Sequence, residues 1–135
     1  MLTSSVFAYG TLQIPEVMLA VTGRSFKSIP AVLNGYQRLA VKNKTYPAIL
    51  KRDGCYVNGV LYQNIDAEAI TLLDQFEDVC YDRELVDIDV DNKMEKAFVY
   101  VWKDEYKNQL SNEEWCLEEF KRKYLKRYIN RISKL

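Results

Sequence analysis

Three turn signals divide this chain: Asn34-Gly35, Arg52-Asp53-Gly54 and Asp91-Asn92. Each stands among β-prone apolar stretches, so the chain is expected to fold back on itself as strands rather than run on as helix. The spacing predicts strands at Ser4–Tyr9, at Tyr46–Leu50, at Cys55–Tyr62 and at Leu85–Val90, with a strand–turn–strand within Ala31–Val41. AFVYVW at 97–102 is the most β-prone stretch, being dense in β-branched and aromatic residues. Three helices are also expected. Pro15 suits the first turn of a helix reaching about Val21, which Gly23 closes. Asp66 is a good N-cap for a second, running to roughly Phe76. Ser111 followed by Glu114 reads as a capping box opening a long amphipathic helix over about 111–133. Its Trp115, Phe120, Tyr124, Tyr128 and Ile132 recur at three-to-five spacing, a packing face by default. Many short strands and few helices predict an α+β fold: a small mixed, barrel-like β-sheet with flanking helices, in one domain over residues 1–135.

The chain contains no histidine. Ser-His-Asp triads, Cys-His dyads and His-bearing metal sites are thereby excluded, and any proton transfer falls to a carboxylate, Lys, Tyr or Cys. Cys55, Cys80 and Cys116 are odd in number and form no CxxC pair, which suggests reduced thiols rather than a zinc site or disulfides. No apolar run approaches the roughly 20 residues of a membrane span, and no signal sequence is evident. A soluble, cytoplasmic protein is the expectation, with no cofactor, no metal and no membrane partner. The formal net charge of zero conceals an asymmetry: residues 121–135 hold seven Lys or Arg and no acid, leaving 12 bases against 19 acids before them. A basic helix end can attract phosphate, but a solvated face complementing the helix dipole is the simpler reading, and nucleic acid is a disfavoured partner.

Two segments carry possible chemistry. Tyr9-Gly10-Thr11-Leu12 follows the first strand, and Gly10 lets the backbone turn and approach a ligand. The N–H groups after it can form a nest for a carboxylate, or the segment is a plain strand-ending turn. Glu77 is the second. It lies seven residues after Ile70 and four after Leu73, continuing the apolar face of the Asp66–Phe76 helix at the negative end of the helix dipole. Apolar surroundings and the dipole both raise a carboxyl pKa, which suits a group that acts as base and then acid near neutrality. The competing reading is a buried ion pair with Arg83. Asp74 reads as a structural residue at the rim of the same helix, while Tyr81 and Arg83 either flank a cleft or cover a sheet edge. Cys80 is a poor nucleophile candidate, because no histidine assists it and a neighbouring carboxylate opposes its thiolate.

VFAYGTL (6–12), PEVM (15–18), LNGYQRLAV (33–41), YPAI (46–49), VNGVLY (57–62), LDQFEDVCYDR (73–83) and AFVYVW (97–102) occur in that order. Together they resemble the gamma-glutamylcyclotransferase-like family, in the branch named for avirulence-induced plant proteins and their bacterial relatives. The resemblance covers about Val6 to Trp102. It implies a small mixed barrel with flanking helices, a substrate-binding loop at Tyr9, Gly10, Thr11 and Leu12, and a catalytic base at Glu77. It further implies a cyclising acyl transfer. The α-amine of a γ-glutamyl amine or peptide attacks its own side-chain amide, forming 5-oxoproline and releasing the amine. The leaving amine is open: a peptide, a lysine side chain, a polyamine or an antibiotic intermediate. Many members carry Gly after the glutamate where this chain has Asp78, which adds negative charge beside the active group. The basic C-terminal segment falls outside the resemblance. Two other functions fit the same residues: a small-ligand-binding module that does not turn its ligand over, and an interaction protein using its C-terminal helix.

Overall fold

The computed structural model describes residues 3–133; Lys134, counted among the C-terminal bases, lies outside the described residues. Five strands form a closed barrel in the order β1 (Thr3–Ala8), β3 (Pro47–Asp66), β2 (Ser28–Ala40), β4 (Tyr81–Val90), β5 (Lys93–Trp102). Neighbouring strands are antiparallel except where β5 meets β1 in parallel at Val6 and Phe98, so the sheet is mixed.

Two of the three expected turns are bulges instead. β2 and β3 are one long antiparallel hairpin: Asn34 pairs with Tyr56 and Tyr36 with Lys51, leaving Gly35 opposite residues 52–55. Gly35 (φ 83°) and Gly54 (φ 84°) supply the left-handed backbone that this irregularity needs. A bulge of this kind bends and twists a strand without ending its ladder, which helps so few strands close a barrel. The hairpin reverses at residues 41–46 instead, with Asn43 at φ 62°. Asp91-Asn92 is a turn as expected. Both residues have positive φ, as a two-residue type I′ connection between β4 and β5 requires.

Helix α1 spans Pro15–Thr22 and ends on Gly23 in the left-handed conformation. Helix α2 spans Ala67–Phe76, with the Asp66 side chain accepting from the Ala69 N–H at its start. The expected helix over 111–133 is broken. Backbone groups of Gln109, Ser111 and Glu113 pair instead with Lys42 and Ala40 at the end of β2. Ser111 Oγ accepts from the Glu113 N–H at 3.1 Å, a local turn rather than a capping box. Tertiary pairing thus outcompetes the local helix signal. Helix begins only at α3 (Leu117–Lys123) and, after an interruption at Tyr124, continues as α4 (Leu125–Ile132).

Strand alternation sorts the apolar residues into two layers. Phe7, Leu33, Ile49, Leu61, Ile88 and Val99 pack inside the barrel. Val6, Ala8, Tyr62 and Tyr100 point outward, where Met18, Leu73, Phe120 and Tyr128 of the helices cover them. The two layers meet around the end of β1, and the candidate site lies there.

Candidate active site

Beyond β1 the chain runs through Tyr9 and Gly10 into a short 3₁₀ turn, Thr11–Gln13. Every carbonyl of this loop has a partner. Arg38 Nη1 donates to Tyr9 O at 2.9 Å, the Gln13 N–H to Gly10 O at 3.1 Å, the Ile14 N–H to Thr11 O at 3.1 Å, and Tyr62 Oη to Leu12 O at 2.6 Å. Thr11 Oγ1 and Tyr128 Oη lie 3.2 Å apart, tying the loop to α4. Among the described residues, no acceptor engages the N–H groups of Gly10, Thr11 and Leu12. A loop whose carbonyls are occupied and whose amides are not is a preorganised anion nest. Its shape depends on Gly10, because a Cβ there would come within 2.9 Å of the Pro47 ring.

Glu77 faces this loop. It caps α2: its N–H still donates to Leu73 O at 3.0 Å, while its backbone turns extended (φ −70°, ψ 144°). The residue keeps partial exposure, but its carboxyl is enclosed. Burial, reinforced by the like charges of Asp78 and Asp74, pushes the Glu77 pKa up to about 8. Among the described residues, no ion pair or side-chain hydrogen bond engages this carboxyl. Arg83, its expected partner, pairs with Asp74 at 3.2 Å and stacks over the Phe98 ring at 4.6 Å. Asp78 has partners: Tyr46 Oη donates to Oδ2 and the Cys80 N–H to Oδ1, each at 3.2 Å.

Four phenols surround Glu77. Tyr9 donates to Tyr100 O at 2.6 Å, Tyr81 to Pro47 O at 2.6 Å, and Tyr100 to Asp74 Oδ1 at 2.8 Å; Tyr128 is the partner of Thr11. Burial raises the pKa of all four, and the Glu77 charge adds to each. They therefore stay protonated while Glu77 titrates. Loop and carboxylate share a cavity of about 270 Å³, near the lower end of the size range of small-molecule sites.

Tyr9, Gly10, Thr11, Leu12, Glu77 and Tyr81 all line this cavity, so the structure brings together six of the seven sequence candidates. Arg83 does not line it. It sits on β4, where its charge is engaged by Asp74, and the reading in which it flanks the cleft is corrected accordingly. Cys80 is buried outside the lining, with its pKa raised by burial and by Asp78. Sequence reasoning missed Tyr46, Tyr100, Tyr128, Arg131 and Ile132 as lining residues. For Tyr100 the signal was strand alternation, which sets it on the face opposite Val99 and Val101. Tyr128 and Ile132 carried the i, i+4 signal, which packing alone explains equally well.

Comparison with known proteins identifies the family. The model of the family described as gamma-glutamyl cyclotransferase, AIG2-like, matches residues 6–117. AIG2-like protein C of Arabidopsis thaliana is 38% identical over 118 residues, covering 86% of this chain and 68% of that protein. A solution structure from the same plant superposes with a TM-score of 0.75 at 28% identity, covering 99% of this chain and 82% of its own. A structure described as gamma-glutamyl cyclotransferase superposes at 0.69 with 16% identity, covering 99% and 88%, a likeness of fold alone. The chain belongs to the gamma-glutamyl cyclotransferase, AIG2-like family.

Proposed function

We propose that the protein converts a γ-glutamyl amine or peptide into 5-oxoproline and a free amine, with Glu77 carrying the proton and no cofactor. The observation behind this reading is a juxtaposition: an enclosed carboxylate and three backbone amides, all without partners among the described residues, border one small cavity.

The γ-glutamyl group carries an α-carboxylate that suits the Gly10–Leu12 amides, and an α-ammonium that suits Glu77. A cation arriving beside Glu77 favours its ionised form, which then accepts a proton from the ammonium. The freed amine attacks the γ-carbonyl carbon, a C–N bond forms to close the five-membered ring, and the bond to the leaving nitrogen breaks. Glu77 returns its proton to that nitrogen, then takes the surplus proton of the new ring nitrogen and passes it to the released amine, which departs as an ammonium ion. Because the nucleophile and carbonyl belong to one molecule, orientation supplies much of the rate; well-placed intramolecular reactions reach effective molarities of roughly 10⁵–10⁸ M. One shuttling carboxylate is enough for the remainder. The protonated tyrosines around it donate hydrogen bonds without competing for the proton.

The test is 5-oxoproline release from a panel of γ-glutamyl amines by the wild type and by Glu77→Gln, which keeps the shape and removes the base. Turnover by the wild type and its loss in the variant are expected. Lactam production surviving in Glu77→Gln would refute the role of Glu77, and ligand binding without turnover by either protein would assign a sensor instead.

A further inference from the structure

Helix α4 carries Lys126, Arg127 and Arg131 and no acidic residue. Its Arg131 lines the cavity of Glu77, with its guanidinium 5.6 Å from the Tyr128 ring centroid. On the other side of Tyr128 and Arg131 lies a second hollow of about 260 Å³, bordered by Thr45, Tyr124 and Arg127 as well. Two arginines thus line a hollow that shares Tyr128 and Arg131 with the reaction cavity. Among the described residues neither forms an ion pair, whereas Lys121 and Lys123 on α3 each pair with a neighbouring Glu. Asp78, which also lines the cavity, already accepts from Tyr46 and from the Cys80 N–H.

We infer that α4 forms the subsite for the leaving amine, and that this amine carries a carboxylate or comparable anion held by Arg131 and Arg127. The inference rests on the cyclotransferase reading and narrows its substrate class. A guanidinium fork matches a carboxylate in shape and charge. A polyamine, by contrast, would bring its ammonium groups against two uncompensated cations. α4 lies beyond residues 6–117, which the family model matches.

Three substrates of nearly equal size separate charge from shape: γ-glutamyl-glycine, γ-glutamyl-glycinamide and the mono-γ-glutamyl amide of ethylenediamine. Their leaving groups are anionic, neutral and cationic. In the wild type, kcat/KM should favour the glycine conjugate over the glycinamide by roughly tenfold, mainly through KM, as expected for a partly exposed charge-assisted contact. The ethylenediamine conjugate should be the poorest. In the double variant Arg127→Gln/Arg131→Gln the three values should converge. Equal use of all three by the wild type, or a glycine preference that survives in the double variant, overturns the assignment. Calorimetric titration of the same ligands separates the two levels of the argument. If they bind without turnover, the cyclotransferase reading fails, while an anion preference lost in the double variant still supports the subsite. If none of them binds, the subsite fails as well.

Discussion

Glu77→Gln should make the protein more stable in alkali, and by an amount that the structure sets. A carboxyl whose pKa rises from the ordinary 4.5 to about 8 on folding holds its proton in the folded state where the unfolded chain has released it. Stability is therefore fully present below pH 4.5, declines between pH 4.5 and 8 by about 1.4 kcal/mol per pH unit, and levels off above pH 8. The whole window corresponds to about 5 kcal/mol. Glutamine never ionises, so the variant escapes this loss. Urea unfolding followed by tryptophan fluorescence is a suitable assay, because Trp102 and Trp115 are both buried. Other titrating groups are common to both proteins and cancel in the difference. The wild type and variant should be nearly equal at pH 4.5, the variant ahead by about 3 kcal/mol at pH 7 and by about 5 kcal/mol at pH 9, with similar m-values. Parallel stability curves, or a wild type that is the more stable protein at pH 9, would show that Glu77 is not held in a desolvated, unpaired state.

Three further outcomes follow from the same geometry. Asp78→Asn removes a like charge that raises the Glu77 pKa, so the rise of kcat/KM with pH should move to lower pH; an unmoved profile would separate Asp78 from the proton carrier. Gly10→Ala forces a Cβ against the Pro47 ring, and displacing the loop amides should lower kcat/KM by roughly tenfold or more with only a modest fall in Tm. Unchanged kinetics would remove the loop from the site. Arg38→Met leaves Tyr9 O without its donor, and a loss of about 1–3 kcal/mol in urea unfolding is expected together with weaker substrate binding.

Local chemistry was legible in the sequence where local chemistry decided the outcome. Asp66 caps α2, Gly23 closes α1, and Asp91-Asn92 turns β4 into β5, each through contacts within a few residues. Gly35 and Gly54 were misread because positive φ serves a turn and a bulge alike; only the register between two distant strands tells them apart. Ser111 and Glu114 carry a valid helix-start pattern, yet the backbone there finds partners on Ala40 and Lys42, some 70 residues away. The site shows the same division. Glu77 and the Tyr9–Leu12 loop were visible through helix spacing, a turn and the family resemblance. The wall built by Tyr128, Arg131 and Ile132 was not, because an amphipathic stripe reads as packing until the cavity beside it is seen. Arg83 had the right charge and position for Glu77, but Asp74 and the Phe98 ring hold it elsewhere.

The most direct measurement is the titration of Glu77 itself, followed by the ¹³C shift of its side-chain carboxyl with and without 5-oxoproline. The structure predicts a midpoint near pH 8 in the free protein and a displaced midpoint once the lactam occupies the cavity. A midpoint near 4.5 that ignores the lactam would contradict both the burial of this carboxylate and its place beside the loop.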